Sequence, residues 1–162
     1  MVSPLGRIAL CLAVGAVGLA CSKATDDVQV LQSDLSGNNE VPVRATSASG
    51  TAGFTIDGDT AHFSVVVQNF TNITQGHIHS GAAGVNGPVR VFLFDTRNGG
   101  TTFNPTGVVN GVLAEGSFTA ADVTGVSFDQ LLSEMRAGTA YANFHTTLYP
   151  GGEIRGQTRL LN

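Results

Sequence analysis

Cysteine is nearly absent from this chain of 162 residues, and the two cysteines present, Cys11 and Cys21, both lie close to the N-terminus. A domain that starts after Cys21 contains no cysteine and therefore no disulfide. The remaining length is sufficient for one domain with a sizeable hydrophobic core, and no change of composition divides it in two. We therefore expect a single domain that is stabilised by packing and not by disulfides.

Positive charge is also scarce. The chain has 8 Lys and Arg residues against 12 Asp and Glu residues, which gives a formal net charge of -4 at pH 7. The basic residues are not clustered, whereas recognition of nucleic-acid phosphates depends on clustered Lys and Arg. This composition excludes nucleic acid as a partner.

Motifs of common enzymes are missing as well. The sequence has no nucleophile elbow, no phosphate-binding loop and no pair of carboxylates in a catalytic arrangement. Its serines and threonines are scattered, without a neighbouring histidine and acid to activate them. These absences favour a binding or structural module over an enzyme.

The N-terminal segment has the pattern of a secretory leader. Arg7 is the only charged residue before Cys21, and an apolar run lies between them. That run has the length of a signal-peptide core and falls short of the roughly 20 apolar residues that span a bilayer. Gly18-Leu19-Ala20-Cys21 resembles the bacterial lipobox, although Gly18 replaces the usual branched aliphatic residue. We predict a signal peptide over residues 1–20, cleaved before Cys21.

These features predict a protein outside the cytoplasm, anchored to a bacterial membrane by lipid on Cys21. Residues 21–27 are polar and would form a tether, followed by the domain over residues 28–162. Secretion after cleavage at a nearby position is the alternative, in which case Cys21 is simply a small apolar residue of the leader. The sequence does not indicate which membrane would hold the anchor.

The body of the chain has the pattern of β-strands separated by turns. Segments rich in β-branched and aromatic residues alternate with Gly, Pro, Asn and Asp, and Asp57-Gly58 is typical of a hairpin turn. The predicted strands are 28–31, 51–56, 60–67, 75–79, 89–95, 108–118, 139–145 and 153–160. Ser127 and Gln130 fit a capping box that begins one short helix, which ends at Gly138. The pattern indicates an all-β sandwich or barrel with this helix packed on its edge.

Three histidines lie on strands that can bring them together. His77 and His79 are two residues apart in one predicted strand, so their side chains point to the same face. His145 ends a later strand, on its more polar face. Neutral imidazole binds copper, zinc or nickel, and three nitrogen ligands with an open position are typical of a reactive or exchange site. We predict a site for one metal ion at His77, His79 and His145, outside the core and beneath the glycine-rich loop 81–88.

The same histidines have a second interpretation. Imidazoles beside a glycine-rich turn can hydrogen-bond the loop backbone and hold it in place without any metal. The sequence leaves both interpretations open. The fourth histidine, His62, belongs to a different hairpin and is expected to be a solvated strand residue. Glu153 and Arg155 share a strand face, where an ion pair that fixes strand register is expected ahead of a catalytic pair.

Three segments resemble the CHRD domain, a module named after chordin that is common in bacterial exported proteins. They are Leu35-Ser36-Gly37-Asn38-Asn39-Glu40-Val41-Pro42, the stretch from His77 to Val89, and the stretch from Tyr141 to Gln157 with its Gly-Glu-Ile-Arg-Gly-Gln ending. The resemblance spans roughly residues 30–160 in the same motif order. It implies an extracytoplasmic β-sandwich, Greek-key and immunoglobulin-like or related to superoxide dismutase. It implies little chemistry, because most bacterial members have no assigned activity.

A more distant resemblance is to the copper-zinc superoxide dismutases, in which a His-x-His pair and a later strand-borne histidine hold copper on the outside of a β-barrel. It implies that His77, His79 and His145 are copper ligands and that Arg155 steers an anion or supports the ligands. The chain departs from that family by lacking a bridging histidine, a zinc-binding cluster and the disulfide cysteines. These departures put dismutase activity in doubt and leave one copper or zinc ion as the expected cofactor.

Together these features predict an exported CHRD-domain lipoprotein of the cell envelope. We expect a non-enzymatic binding or structural module that carries one metal ion and contacts a protein partner that the sequence does not identify. The alternative is a copper-binding protein with redox or metal-handling activity at the three histidines.

Overall fold

A computed structural model describes residues 28–96 and 107–161. The predicted signal peptide, the predicted lipidation site at Cys21 and the predicted tether lie outside these residues. Within them the chain forms eight strands and one α-helix, which are β1 (Gln29–Ser36), β2 (Ser49–Asp57), β3 (Thr60–Thr71), β4 (Ile73–Ser80), β5 (Val89–Asp95), β6 (Val108–Thr119), α1 (Phe128–Arg136), β7 (Ala140–Thr146) and β8 (Ile154–Leu160). Single 3-10 turns follow β1 at Gly37–Asn39 and β6 at Ala120–Asp122.

The predicted all-β class is confirmed, and each predicted strand corresponds to an observed one. Several strands extend beyond the prediction, and β1 continues to Ser36 because its polar residues Gln32 and Asp34 alternate with buried ones. The helix is also confirmed, with the Ser127 side chain accepting a hydrogen bond from the Gln130 backbone N–H. The Gln130 side chain donates to Glu134 one turn further on. No helix among the described residues has the length and hydropathy that crossing a membrane requires.

The strands form one antiparallel sheet in the order β5-β4-β7-β8-β1-β2-β3-β6. Its two edge strands, β5 and β6, contact each other, so the sheet rolls up around a single core in the manner of a nearly closed sandwich or barrel. The connections β3 to β4 and β6 to β7 join strands that are not neighbours in the sheet. The helix α1 precedes β7 and packs against β7 and β8, which are inner strands of the sheet, whereas the sequence had placed the helix on the edge.

Most strands alternate between buried and exposed residues, as a sheet with one covered face requires. In β3, Ala61, Phe63 and Val65 are buried, whereas His62 and Val66 are exposed, as predicted. In β7, however, every residue is buried, and in β4 the four residues from Gly76 to His79 are buried in succession. Both faces of the sheet are therefore covered at β7. His77, His79 and His145 lie on the outer face of the sheet, away from the core.

Candidate metal centre

The structure brings His77, His79 and His145 together. His77 and His79 lie on the same face of β4, and β7 pairs with β4 so that His145 stands opposite Gln75, diagonally from His77. The possible ligand nitrogens of the three rings all lie within 4.8 Å of one another. We call these residues the histidine cluster. His62, on β3, is exposed and belongs to another part of the sheet.

The histidine cluster is more buried than the sequence suggested. A site outside the core was predicted, and the three rings do lie on the opposite sheet face from the core residues Ile78, Ala142 and Phe144. Their exposed fractions are only 3%, 8% and 6% in chain order. The loop after β4 covers the cluster, as predicted, and contacts His79. The loop between β7 and β8 also covers the cluster and contacts His145. The burial follows from these loops folding back over the strands that carry the ligands.

Two backbone carbonyls determine which ring nitrogen of His79 and of His145 carries the proton. His79 Nδ1 lies 2.9 Å from the Gly87 carbonyl oxygen, and His145 Nδ1 lies 3.0 Å from that of Pro150. A carbonyl can only accept, so each Nδ1 carries a proton and donates it. The Nε2 atom of each neutral ring therefore keeps a lone pair. Hydrogen bonds from the non-ligating nitrogen to a carbonyl are typical of metal-binding histidines.

His77 is linked to the rest of the cluster by a hydrogen bond with His145. His77 Nδ1 lies 3.1 Å from His145 Nε2. Because Nε2 of His145 accepts in the neutral ring, His77 Nδ1 donates to it when no metal is bound. Two nitrogens at metal-ligand distance from one tetrahedral ion would lie roughly 3.3 Å apart. A metal ion bound by both atoms would take the place of the proton between them with little movement of either ring.

His79 offers the clearest lone pair. Its Nε2 atom is buried and has no hydrogen-bond partner among residues 28–96 and 107–161. Burial lowers the pKa of His79 below its ordinary value of 6.5, the positive charge of Arg155 lowers it further, and the hydrogen bond to Gly87 opposes both. The ring is therefore neutral at pH 7 and can serve as a ligand. An unsatisfied buried nitrogen costs free energy, which a metal ion would recover.

An aromatic and cationic stack supports His79. The Tyr141 ring lies parallel to the His79 ring, with centroids 4.8 Å apart, and the Arg155 guanidinium carbon lies 3.4 Å from the Tyr141 centroid. The Tyr141 hydroxyl accepts a hydrogen bond from the Gly87 N–H at 3.1 Å. Tyr141 and Gly87 thus hold His79 from two sides. Arg155 therefore supports His79 by packing on this tyrosine, in addition to the effect of its charge on the His79 pKa.

Arg155 is buried, with an exposed fraction of 1%. Its guanidinium donates to the carbonyl oxygens of Ala82 and Val85 and to the Asn86 side chain, at 2.8 to 3.1 Å. It also donates to Gln157. These bonds fasten the loop after β4 over the sheet, which favours a supporting role for Arg155 over the steering of an anion from solvent.

The predicted ion pair between Glu153 and Arg155 is wrong. Glu153 accepts hydrogen bonds from the hydroxyl of Thr46 at 2.6 Å, in the segment before β2, and from that of Thr146 at 2.7 Å, at the end of β7. Alternation along a strand placed both side chains on one face, but it could not show that each has nearer partners from distant segments. Both residues connect loops to the sheet.

Four further residues at the centre were not assigned a role from the sequence. Tyr141 and Asn143 share the face of His145, so alternation could have found them. Phe92 contacts His77, with ring centroids 4.4 Å apart. Glu40 is buried beside Asn143, whose Nδ2 donates to it at 2.5 Å.

Burial raises the pKa of Glu40 above its ordinary value of 4.5, while the Asn143 hydrogen bond and the charges of Arg155 and Arg44 oppose the shift. The folded protein thus favours the protonated carboxyl, and the resulting stability is lost as the pH rises through the folded-state pKa. Glu40→Gln, which is neutral at every pH and retains the acceptor for Asn143, is expected to be more stable than the wild type at pH 7. Chemical denaturation from about pH 4 to 8 should show the two curves converging below the ordinary pKa. A variant less stable than the wild type at pH 7 would contradict this assignment.

Gly87 has no room for a side chain. A Cβ atom there would lie 1.6 Å from the Ser80 carbonyl oxygen, so the loop would have to shift and its carbonyl would leave His79. Gly87→Ala is expected to lower the free energy of unfolding by about 1–3 kcal/mol, measured by chemical denaturation. Gly53→Ala in β2 is the control, because its Cβ would come no nearer than 3.9 Å to another atom. Equal effects of the two substitutions would disprove the role of the Gly87 contact.

Comparison with known proteins identifies the family. The profile of the CHRD domain matches residues 31–158, which include every strand from β2 to β7, the histidine cluster and Arg155. No curated protein and no solved structure gives a significant match. Since the match covers most of the chain, the protein belongs to the CHRD-domain family.

Proposed function

We propose that this protein is an exported, lipid-anchored CHRD-domain module of the cell envelope that binds one copper ion through His77, His79 and His145. The observation that carries the proposal is the convergence of three buried imidazoles, two of which are oriented by carbonyls so that an unprotonated Nε2 is available. The leader-like sequence up to Cys21 supports export and anchoring.

The donor set favours copper in its monovalent state. Three neutral imidazoles contribute no negative charge, so the full charge of the ion stays buried next to the stack that contains Arg155. One buried positive charge costs less than the two of Zn²⁺. Closed structural zinc sites also have four protein ligands, whereas this cluster supplies three. Zinc is the competing occupant, and its binding is therefore measured beside that of copper.

A role in holding copper fits the cluster better than turnover of a substrate. The rings are nearly inaccessible, and the cation predicted to steer an anion, Arg155, is engaged with loop carbonyls. A site that holds its ion away from water suits storage or delivery of the metal. An unidentified protein that receives or supplies the ion would be the partner.

Copper stoichiometry tests this function. Protein purified in detergent without chelator is loaded with Cu(I) or Zn²⁺, and bound metal is measured beside a His77/His79/His145 triple-alanine variant and the control His62→Ala. We expect one equivalent of copper in the wild type and in the control and none in the triple variant. Copper at 100 times its Kd should stabilise the wild type by about 2.7 kcal/mol. Binding to none of the proteins, or equally to all, would overturn the proposal. Anchoring is tested separately by Cys21→Ser, which should move the protein out of the membrane fraction.

A metal-free role of the cluster is the second candidate, supported by the same two carbonyl hydrogen bonds. The His79 bond to Gly87 and the His145 bond to Pro150 tie two loops to the sheet whether or not an ion is present. This candidate expects single alanine substitutions to lower the stability of the metal-free protein, with no stoichiometric copper in the wild type. The stoichiometry experiment therefore separates the two candidates.

A further inference from the structure

Phe92 is a large apolar residue with an exposed fraction of 57%, on the same sheet face as the histidine cluster. It lies in β5, an edge strand of the sheet, directly opposite His77 of the neighbouring strand β4. The two rings meet nearly at right angles, with an interplanar angle of 77° and centroids 4.4 Å apart. One side of Phe92 thus covers His77, and its other side faces water.

The rest of the cover over the cluster is held by hydrogen bonds. The Tyr141 ring lies on His79 and is bonded to Gly87, while the carbonyls of Gly87 and Pro150 accept from the histidines. The Phe92 side chain has no polar atom, so no hydrogen bond of its side chain holds it in place. Exposed side chains change rotamer within nanoseconds. Phe92 is therefore the part of the cover that moves at least cost.

A β-bulge follows Phe92 in β5. Phe94 pairs with Gly76, Phe92 pairs with His77, and Val91 pairs with Ile78, so that Leu93 is an extra residue in β5. Phe92 lies between buried Val91 and buried Leu93, and simple alternation therefore points it outward over the cluster. Beyond the bulge Phe94 faces the core as well, which alternation from Val91 alone would not allow. Phe92 thus lies beside an irregularity of the edge strand, and such bulges are frequent beside functional sites.

We propose that Phe92 is the gate through which copper and its small acceptor ligands reach the histidine cluster from the β5 edge. This inference rests on the proposed copper binding. With the ring swung out, His77 is the first ligand that a soft acceptor, such as a thiolate or an imidazole, can approach. With the ring in place, the ion exchanges slowly. Phe92 is thus a movable part of the cover and is not itself a ligand.

The rate of copper transfer from the protein to a chelator tests the gate directly. The wild type, Phe92→Leu and Phe92→Ala are loaded with Cu(I) and mixed with a bathocuproine chelator, and transfer is followed by stopped-flow absorbance. We expect transfer to be at least about 10-fold faster from Phe92→Ala, with one equivalent still bound before mixing and an intermediate rate for Phe92→Leu. Val112→Ala is the matched control, because Val112 is equally exposed at 56% on the opposite edge strand, β6. Equal transfer rates from wild type and Phe92→Ala would overturn the gate.

A metal-free readout separates failure of the gate from failure of copper binding. Deuterium exchange at the imidazole C2 position of each histidine is followed by mass spectrometry in the metal-free wild type and in Phe92→Ala. We expect faster exchange at His77 in the variant and no change at His62, which is already exposed. If the wild type binds no copper, the copper proposal fails, and this exchange still decides whether Phe92 shields His77. Unchanged exchange at His77 would reject the shielding.

Discussion

His79→Ala is expected to lower the affinity for copper by at least about 100-fold, because loss of a ligand should exceed the upper effect of losing a residue that merely supports one. His79 contributes the buried Nε2 that lacks a hydrogen-bond partner among the described residues, and its Nδ1 is held by Gly87. Competition against a chelator of known affinity gives the dissociation constants. His145→Ala is expected to behave in the same way.

His62→Ala is the control for this effect, since His62 is exposed on β3 and lies outside the cluster. Its copper affinity should equal that of the wild type. Thermal unfolding of each metal-free variant separates lost ligation from lost folding, because a folded His79→Ala that fails to bind copper has lost only a ligand. Wild-type affinity in His79→Ala, or a comparable loss in His62→Ala, would contradict the assignment of the ligands.

Arg155→Met is expected to reduce the free energy of unfolding by about 3 kcal/mol. The substitution keeps an unbranched apolar stem and removes the charged donors that hold Ala82, Val85 and Asn86. The two loop carbonyls would then be left without their donor. Relief from burying the guanidinium, whose pKa burial lowers, offsets part of the loss.

Arg159→Met is the matched control on the same strand. The Arg159 side chain is 50% exposed and forms a surface ion pair with Asp34 at 2.7 Å. Such pairs contribute up to about 1 kcal/mol, so the control should stay close to the wild type. Chemical denaturation of both variants measures the difference. If Arg155→Met were no worse than Arg159→Met, the loop after β4 would not depend on Arg155.

The strands and the histidine cluster could be predicted from the sequence because both depend on a local rule. Side chains alternate along a strand, so one intervening residue puts His77 and His79 on one face, and the same rule places His145 on the polar face of β7. The tight turn between β2 and β3 was predicted from Asp57-Gly58, and its two central residues are Gly58 and Asp59. These features need no knowledge of distant segments.

The burial of the cluster and the partners of Arg155 could not be predicted, because they depend on contacts between segments far apart in the chain. The loop after β4 is fastened by an arginine about 70 residues later, a distance along the chain that no periodicity encodes. Phe92 was missed for a different reason. Alternation places it on the face opposite Val91, but its contact with His77 depends on the pairing of β5 with β4, which alternation within one strand does not give.

Nitrogen-15 NMR of the four imidazoles during titration with Cu(I), which is diamagnetic, tests the central claim most directly. The metal-free spectrum should show His79 and His145 protonated at Nδ1. One equivalent of Cu(I) should then shift the ring nitrogens of His77, His79 and His145 together and leave His62 unchanged. No shift at one equivalent, or a shift at His62 ahead of the cluster, would contradict a copper site at these three histidines.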